Sequence, residues 1–169
     1  MLKFIIGLLK VMTYLIIITN LLILSLGLIG VRLNLSESMD KGVYMVINKN
    51  LEKGDLVIVC EPKAKFFLKK KETVCGFEEL LKRVVACPGD VISIDKKGIL
   101  INGKFIKNSE KVNFNIPIDL FNNIMIDNYE LNNDEYIILG DSKYSWDSRY
   151  YGVVKRKNIV DVVKLIYKF

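Results

Sequence analysis

Two serines separated by one residue, Ser36 and Ser38, lie in the segment NLSESMDKGVYMV, directly after a long apolar run. A serine hydroxyl becomes an effective nucleophile when a neighbouring base removes its proton. Histidine is the usual base, but the chain contains no histidine. A neutral lysine is a recognised alternative, so the sequence is compatible with nucleophilic chemistry if one lysine is held uncharged.

The lysine that best suits this role is Lys82, in the segment ELLKRVVA. A free lysine has a pKa of about 10.4, and burial among apolar side chains disfavours its charged form. If the segment is a strand, alternation places Lys82 on the same face as Leu80 and Val84. Ala86 continues that face, whereas Arg83 points the opposite way. Considered singly, a lysine in a strand is more often an edge or snorkelling residue than a base.

An oxyanion formed by attack of Ser38 would need hydrogen-bond donors. The backbone N–H of Ser38 and the hydroxyl of Ser36 can converge on one point, although a serine in a short polar loop is commonly only solvated or capping. A third polar segment, GDSKYSWDSRYYG at residues 140–152, follows a buried strand pattern. Loops of this kind often position functional groups, but Asp141 and Asp147 are explained equally well as structural partners of arginines.

The elements that must position these residues begin with an uncharged apolar stretch at residues 11–31. At the helical rise it spans roughly 30 Å, enough to cross a bilayer once. A cleavable signal has a shorter apolar region of about 7–15 residues and a small-x-small end, whereas this stretch ends in LIGVRLNL. We therefore expect a retained membrane anchor at residues 1–31 and one folded domain at 32–169. The flanking charges, which leave the orientation open, are Lys3, Lys10, Arg32, Lys41 and Lys49.

The rest of the chain predicts a mainly β domain, because short apolar runs of period two alternate with turn signals. Strand patterns include VYMVI, LVIVC, LLKRVVAC, VISI, ILI and EYIIL, and the dipeptide Asn102-Gly103 predicts a tight hairpin. The segment 61–79 reads as a basic irregular insert. Residues 108–133 are Asn-rich and are interpreted as an extended excursion with a short helix, and 142–152 as a polar loop.

Charge and cysteine content indicate which partners, cofactors and disulfides to expect. The net charge of +6 is spread along the chain rather than gathered on one periodic face, which favours an anionic membrane surface over nucleic acid as a neighbour. The three cysteines, Cys60, Cys75 and Cys87, form no C-x-x-C pair, so no metal site or other cofactor is expected. A Cys60–Cys75 disulfide is one possible pairing.

Together, the blocks SESM, KRVVACPGD and GDSKYSWDSRYYG resemble the type I signal peptidase family of membrane-anchored serine proteases with a Ser/Lys dyad. The resemblance implies a signal-peptidase-like antiparallel β catalytic domain on the extracytoplasmic side of the cell membrane, preceded by a single transmembrane helix. It implies that precursor proteins with signal peptides are the substrates. The implied roles are Ser38 as nucleophile, Lys82 as general base, Ser36 with Ser38 as oxyanion hole, Ser145 as the hydroxyl that orients the lysine, and Arg83, Asp141, Asp147 and Arg149 as structural ion pairs.

Some residues depart from the common family pattern. Asp40 and Lys41 follow the Ser-Met pair where a proline is usual, and Ser142 and Lys143 stand where Asn and Arg are usual. The shorter last block and SMDKGVY are similar to the conjugative-transfer branch, so a processing peptidase for a pilin-like precursor is an alternative. Two further alternatives are a catalytically silent membrane-anchored β binding domain and a cytoplasmic self-cleaving repressor, although the latter has a DNA-binding module where this chain has an anchor.

Overall fold

The computed structural model describes residues 2–60, 79–111 and 124–169. Within them the chain forms one long N-terminal helix followed by antiparallel β-sheets, so the predicted mainly β fold is confirmed. Most of the predicted basic insert, at 61–78, lies outside the described residues. The same is true of residues 112–123, which are part of the segment 108–133 in which a short helix was expected.

The elements are numbered here in chain order. The helices are α1 (Leu2–Leu28) and α2 (Ser148–Tyr151), and a 3₁₀ turn covers Arg156–Asn158. The strands are β1 (Val31–Asn34), β2 (Gly42–Ile47), β3 (Leu56–Cys60), β4 (Glu79–Ala86), β5 (Val91–Ile94), β6 (Ile99–Ile101), β7 (Lys104–Phe105), β8 (Ile126–Glu130), β9 (Glu135–Leu139), β10 (Val154–Lys155) and β11 (Ile159–Lys168).

Helix α1 is, among the described residues, the one helix long and apolar enough to cross a membrane. Its 27 residues extend roughly 40 Å at the usual helical rise. Its apolar side chains are uncovered by the rest of the protein. The polar side chains in it donate to carbonyls of the preceding turn, which satisfies them without water. These side chains are Thr13, Thr19, Asn20 and Ser25.

The helix ends before the apolar run does. It stops at Leu28, and Gly30 takes a φ of +88°, a conformation that favours glycine. Val31, predicted within the anchor, instead begins strand β1. The neighbouring Arg32 donates to the Gly27 carbonyl at 3.1 Å and to Asp161 on β11 at 3.0 Å. A cation therefore joins the carboxyl end of α1 to the sheet.

The strands form two antiparallel sheets. The larger sheet has the order β1-β2-β11-β3-β4-β9-β10, and the smaller has the order β7-β6-β5-β8. Strands β6 and β7 pair Ile101 with Lys104, leaving a two-residue turn of Asn102 and Gly103 with φ values of 50° and 75°. Positive φ at both turn positions is typical of a type I′ turn, so the predicted hairpin is confirmed.

Three apolar clusters hold the sheets together. The first joins β3, β4, β9, β10 and β11 on one face of the larger sheet. The second lies between β9 and the smaller sheet, with isoleucines from β5 and β6 at its centre. The third lies at the β1 end of the larger sheet and contains Met39, Tyr44, Ile58, Leu81 and Val163. This third cluster supports the predicted site.

Two local predictions were wrong. Part of the Asn-rich segment forms strand β8, which pairs with β5. Four of its five side chains are exposed, so backbone pairing rather than an apolar pattern defines this strand. The polar loop 142–152 contains helix α2, whose first turn is capped by the Asp147 side chain accepting from the Arg149 N–H.

A buried carboxylate joins the beginning of β9 to its neighbours. Glu135 accepts hydrogen bonds from Lys155, from the Tyr129 hydroxyl and from the Asn132 backbone. Burial by itself would raise the pKa of Glu135, but these hydrogen bonds outweigh burial and lower it to about 2. The folded protein therefore favours the ionised form of Glu135, and this carboxylate links β9 to β10 and to the turn after β8.

The described residues include the cysteines Cys60 and Cys87. Cys60, at the end of β3, is disulfide-bonded, and Cys87 is a free thiol. Cys75, the partner suggested from the sequence, lies outside the described residues. The Cys60–Cys75 pairing therefore stays a prediction.

Candidate active site

The two serines of the SESM block lie in a tight turn between β1 and β2, here called the serine turn (residues 35–41). The strands close the turn by pairing Asn34 with Gly42. Met39 is buried in the third apolar cluster, which fixes the turn against the sheet. The Tyr44 hydroxyl donates to the Asp40 carbonyl at 2.6 Å. Burial and then the charges of Asp40 and Asp141 raise the pKa of Tyr44, so this donor stays protonated.

The Asn34 side chain occupies the inside of the serine turn. Its Oδ1 accepts from the Ser36 hydroxyl at 2.8 Å and from the Ser36 N–H at 3.2 Å. Its Nδ2 donates to the Asp40 carbonyl at 2.9 Å and to the Met39 carbonyl at 3.3 Å. One amide thus satisfies both ends of the turn, as Asx turns commonly do.

The end of the chain also contacts the serine turn. Lys168 Nζ lies 2.6 Å from Asp40 Oδ1, and the Phe169 N–H donates to the Lys41 carbonyl at 3.0 Å. A Cβ on Gly42 would overlap the Tyr167 carbonyl, so glycine is required where β11 approaches β2. Strand β11 therefore supports the turn from behind.

Lys82 reaches the serine turn from strand β4. Its Nζ lies 3.1 Å from Ser38 Oγ and donates to the Leu81 carbonyl at 3.1 Å. The residue is 2% exposed, and Val57 lies directly opposite it on β3. Ser36 Oγ lies 3.0 Å from Ser38 Oγ. The structure thus brings together the three side chains that sequence reasoning had selected for chemistry.

The predicted apolar face around Lys82 is correct in part. Of the alternate residues on β4, Val84 belongs to the first apolar cluster and Leu80 packs against it. Ala86 belongs instead to the second cluster, because the register of β4 against β9 shifts between Val84 and Ala86. Arg83 extends the other way and donates to Asp141 and to the Gly54 carbonyl.

The segment after β9 covers the serine turn. The Ser142 N–H donates to the Ser38 carbonyl at 3.2 Å, and the Asp141 N–H contacts the Met39 sulfur at 3.4 Å. Gly140 is packed so closely that an added Cβ would overlap the Ser145 side chain and lie 2.8 Å from the Ser38 carbonyl oxygen. The glycine therefore allows this segment to approach the turn.

Ser145 is brought to the site without making the expected contact. Its side chain is buried beside Gly140, and its Oγ has no hydrogen-bond partner among the described residues. Ser145 Oγ therefore makes no hydrogen bond to Lys82. The lysine-orienting role of Ser145 stays a prediction.

A buried ion pair holds the covering segment in shape. Asp147 and Arg149 are both fully buried, and their side chains form two hydrogen bonds with each other. Asp147 also accepts from the Gly140 N–H at 2.8 Å. Arg149 also donates to the carbonyls of Ser142 and Lys143 in the same segment. It donates as well to the carbonyl of Asn108, which lies in a different loop. The pair between Arg83 and Asp141 is, in contrast, half-exposed.

A small cleft lies at the third apolar cluster. It has a volume of about 100 Å³ and is lined by Arg32, Leu33, Asn34, Tyr44, Ile58, Glu79 and Leu81. Two of its lining residues contact the side chains selected for chemistry. Asn34 binds Ser36, and the Leu81 carbonyl binds Lys82.

Sequence reasoning missed two residues that shape the site. Asn34 could have been noticed as an Asx-turn residue immediately before the serine pair. The close approach of Gly140 to Ser38 and Ser145 has no local sequence signal, because it depends on how separate segments pack together.

Comparisons with known proteins show which family the sequence resembles. A family model described as signal peptidase, peptidase S26, matches residues 5–168. The plasmid transfer protein TraF of Escherichia coli is 30% identical over 146 residues, which are 81% of this chain and 82% of that protein. Signal peptidase I V of Bacillus subtilis is 30% identical over 92 residues, which are 50% of this chain and 55% of that protein.

Among solved structures, a crystal structure of a signal peptidase I from Enterococcus faecalis matches with a TM-score of 0.43 and 19% identity. The match covers 70% of this chain and 100% of that chain. The family assignment rests on the sequence matches, since the family model spans nearly the whole chain. The chain therefore belongs to the signal peptidase family, peptidase S26, which is a family of serine proteases.

Proposed function

We propose that the protein is a membrane-bound serine endopeptidase in which Ser38 is the nucleophile and Lys82 the general base. The observation that carries this proposal is the 3.1 Å separation of Lys82 Nζ and Ser38 Oγ, with Lys82 almost wholly buried. Burial disfavours an ammonium, so it favours the neutral amine that a base requires. The apolar surroundings contributed by Val57 and Val84 support the same state.

The reaction follows the usual sequence for acyl transfer. Lys82 accepts the proton of Ser38 as Oγ bonds to the scissile carbonyl carbon, and it then delivers that proton to the leaving amine as the C–N bond breaks. The product is an ester on Ser38. A water that loses its proton to Lys82 hydrolyses this ester and regenerates the hydroxyl.

The negative charge that develops on the carbonyl oxygen needs donors. We assign this role to the Ser38 backbone N–H and the Ser36 hydroxyl, which lies 3.0 Å from Ser38 Oγ. Ser145 is proposed to orient Lys82 during the reaction. Arg83 with Asp141, and Asp147 with Arg149, are proposed to maintain the shape of the segment that covers the serine turn.

Precursors with signal peptides are the proposed substrates, as expected for a member of this family. The cleft lined by Asn34 has a volume of about 100 Å³, far smaller than the few hundred Å³ typical of small-molecule pockets. A cleft of this size suits one small side chain of an extended peptide substrate. Tyr44, Ile58 and Leu81 contribute apolar lining, and Arg32, Asn34 and Glu79 contribute polar groups. An extended substrate strand alongside β1 would present its bond to Ser38.

The proposed location is the cell membrane, with helix α1 (Leu2–Leu28) as a single-pass anchor and the β domain that begins at β1 as an extracytoplasmic catalytic domain. Helix α1 is long enough to span the bilayer. Next to it, Leu33 and Tyr167 are 61% and 64% exposed, and both lie opposite Val43 on one face of the sheet. Such an apolar face suits contact with lipid. A disulfide at Cys60 suits an oxidising compartment outside the cytoplasm.

A second candidate function is favoured by the relationship to TraF. That plasmid transfer protein matches over 82% of its own length, whereas the Bacillus subtilis signal peptidase matches over 55%. A processing peptidase that serves plasmid transfer, with one or a few substrates such as a pilin-like precursor, would use the same dyad. The two functions differ in the range of precursors cut.

The test is cleavage of a panel of precursors by the full chain in detergent micelles. Wild-type protein should release the mature product, and Ser38→Ala and Lys82→Ala should each abolish release while remaining folded. Lys164→Ala, which changes an exposed lysine on β11, is the matched control and should cleave normally. Activity that survives Lys82→Ala would refute the assignment of the base. Cleavage of a pilin-like precursor alone would favour the transfer function, and cleavage of no precursor would favour a silent binding domain.

A further inference from the structure

Four polar atoms form a continuous line through the candidate site. Lys82 Nζ lies 3.1 Å from Ser38 Oγ, which lies 3.0 Å from Ser36 Oγ, which in turn lies 2.8 Å from Asn34 Oδ1. The line therefore ends on Asn34, a residue that neither the composition nor the family resemblance had selected.

The chemistry of the amide fixes the direction of the last hydrogen bond. An amide oxygen only accepts, so Ser36 must donate its proton to Asn34. The Ser36 oxygen then presents a lone pair, not a proton, to Ser38. In this state a hydrogen bond between the two serines must be donated by Ser38, so the Ser36 oxygen and the Lys82 amine are alternative acceptors of the Ser38 proton.

The same amide also limits how the serine turn can move. Asn34 Nδ2 donates to the carbonyls of Asp40 and Met39, so the side chain is held from both ends. Asn34 is the last residue of β1 and is itself aligned by pairing with Gly42. The acceptor oxygen that faces Ser36 is consequently placed by the sheet rather than by a flexible loop.

We propose that Asn34 is a positioning residue that orients the Ser36 hydroxyl, holding its proton away from Ser38 until an oxyanion forms. Rotation about the single Cβ–Oγ torsion of Ser36 then transfers its hydrogen bond from Asn34 to the oxyanion. This inference rests on the proposed function, because it assigns Asn34 a role in the same acyl-transfer site. Asn34 acts through Ser36 and touches no reacting atom.

A double-mutant cycle tests the proposal, with kcat and KM measured for a reporter precursor on the full chain in micelles. Removing an oxyanion donor typically lowers kcat about 10²–10³-fold, so Ser36→Ala should do so in the wild-type background. In the Asn34→Ala background, the same change should cost about tenfold less, because the hydroxyl is already poorly oriented. Asn34→Ala alone should lower kcat about tenfold with KM within about threefold. Asn50→Ala, at an exposed asparagine after β2, is the matched control.

Equal losses from Ser36→Ala in both backgrounds would overturn the proposal and leave Asn34 as a brace of the turn only. Should Asn34→Ala fail to fold, Asn34→Gln keeps the amide but displaces its oxygen from Ser36 by one methylene. Ser36→Ala should then cost less in the Gln background than in the wild type, and an equal cost there would overturn the proposal. A wild-type protein that cleaves no precursor would contradict the proposed function itself. That outcome differs from equal losses of kcat in the two backgrounds, which would contradict only the role of Asn34.

Discussion

The buried pair of Asp147 and Arg149 makes the strongest stability prediction. Replacing Arg149 with Gln leaves the Asp147 carboxylate fully buried without its cation. Removal of one partner from a buried pair costs about 3–5 kcal/mol, a large part of the roughly 5–15 kcal/mol that stabilises a domain. With a urea dependence of about 2 kcal/mol per molar, the unfolding midpoint should fall by about 2 M.

The single tryptophan provides the assay. Trp146 immediately precedes Asp147 and stacks on Tyr150 with ring centroids 4.9 Å apart, so its fluorescence reports on the covering segment. Urea unfolding of the full chain in micelles should be followed by this signal. Arg83→Gln is the matched control, because its pair with Asp141 is half-exposed and should contribute only about 0–1 kcal/mol.

A second variant separates lost charge balance from lost packing. Asp147→Asn combined with Arg149→Gln removes the unpaired charge and keeps an amide oxygen for the Gly140 N–H. The double variant should therefore regain part of the stability lost in Arg149→Gln. A midpoint for Arg149→Gln within about 0.5 M of the wild type would refute the reasoning, since it would imply that the buried carboxylate had no need of the cation.

Two other outcomes follow from the contacts described. Gly140→Ala should lower cleavage at least tenfold, because the added methyl overlaps Ser145 beside the serine turn, whereas Gly7→Ala in α1 meets no neighbour and should cleave normally. Near-wild-type cleavage by Gly140→Ala would contradict this packing. The depressed pKa of Glu135 contributes stability above its ordinary value of 4.5 that is lost as the pH falls toward about 2. In Glu135→Gln the urea midpoint of unfolding should therefore depend less on pH between about 2 and 4.5, and an unchanged dependence would contradict a stabilising role for the ionised carboxylate.

Much of the fold could be predicted because its signals are local. The uncharged apolar run predicted α1, although the structure ends the helix at Leu28 because Gly30 begins the turn into β1. Asn102-Gly103 predicted its hairpin from backbone conformation alone. Strand β8 was missed because its exposed side chains have no apolar alternation, and its pairing with β5 is a property of the sheet.

The serine and lysine of the candidate site could be predicted because few residue types can act as a base for a serine. Without histidine, a serine needs a lysine with apolar neighbours, and Lys82 met that condition although it lies 44 residues from Ser38 in sequence. Residues whose roles depend on distant packing were not predictable. Gly140 matters because Ser38 and Ser145 come close to it, and Ser145 itself makes no hydrogen bond to Lys82 among the described residues.

The most direct test of the central claim is to identify the atom that carries the acyl group. Wild-type protein mixed with a precursor and quenched in acid should yield, by mass spectrometry, an ester of the signal peptide on the fragment that contains Ser38. The account predicts that this adduct is absent from Ser38→Ala. An adduct on another residue, or cleavage that proceeds in Ser38→Ala, would contradict the claim that Ser38 is the nucleophile.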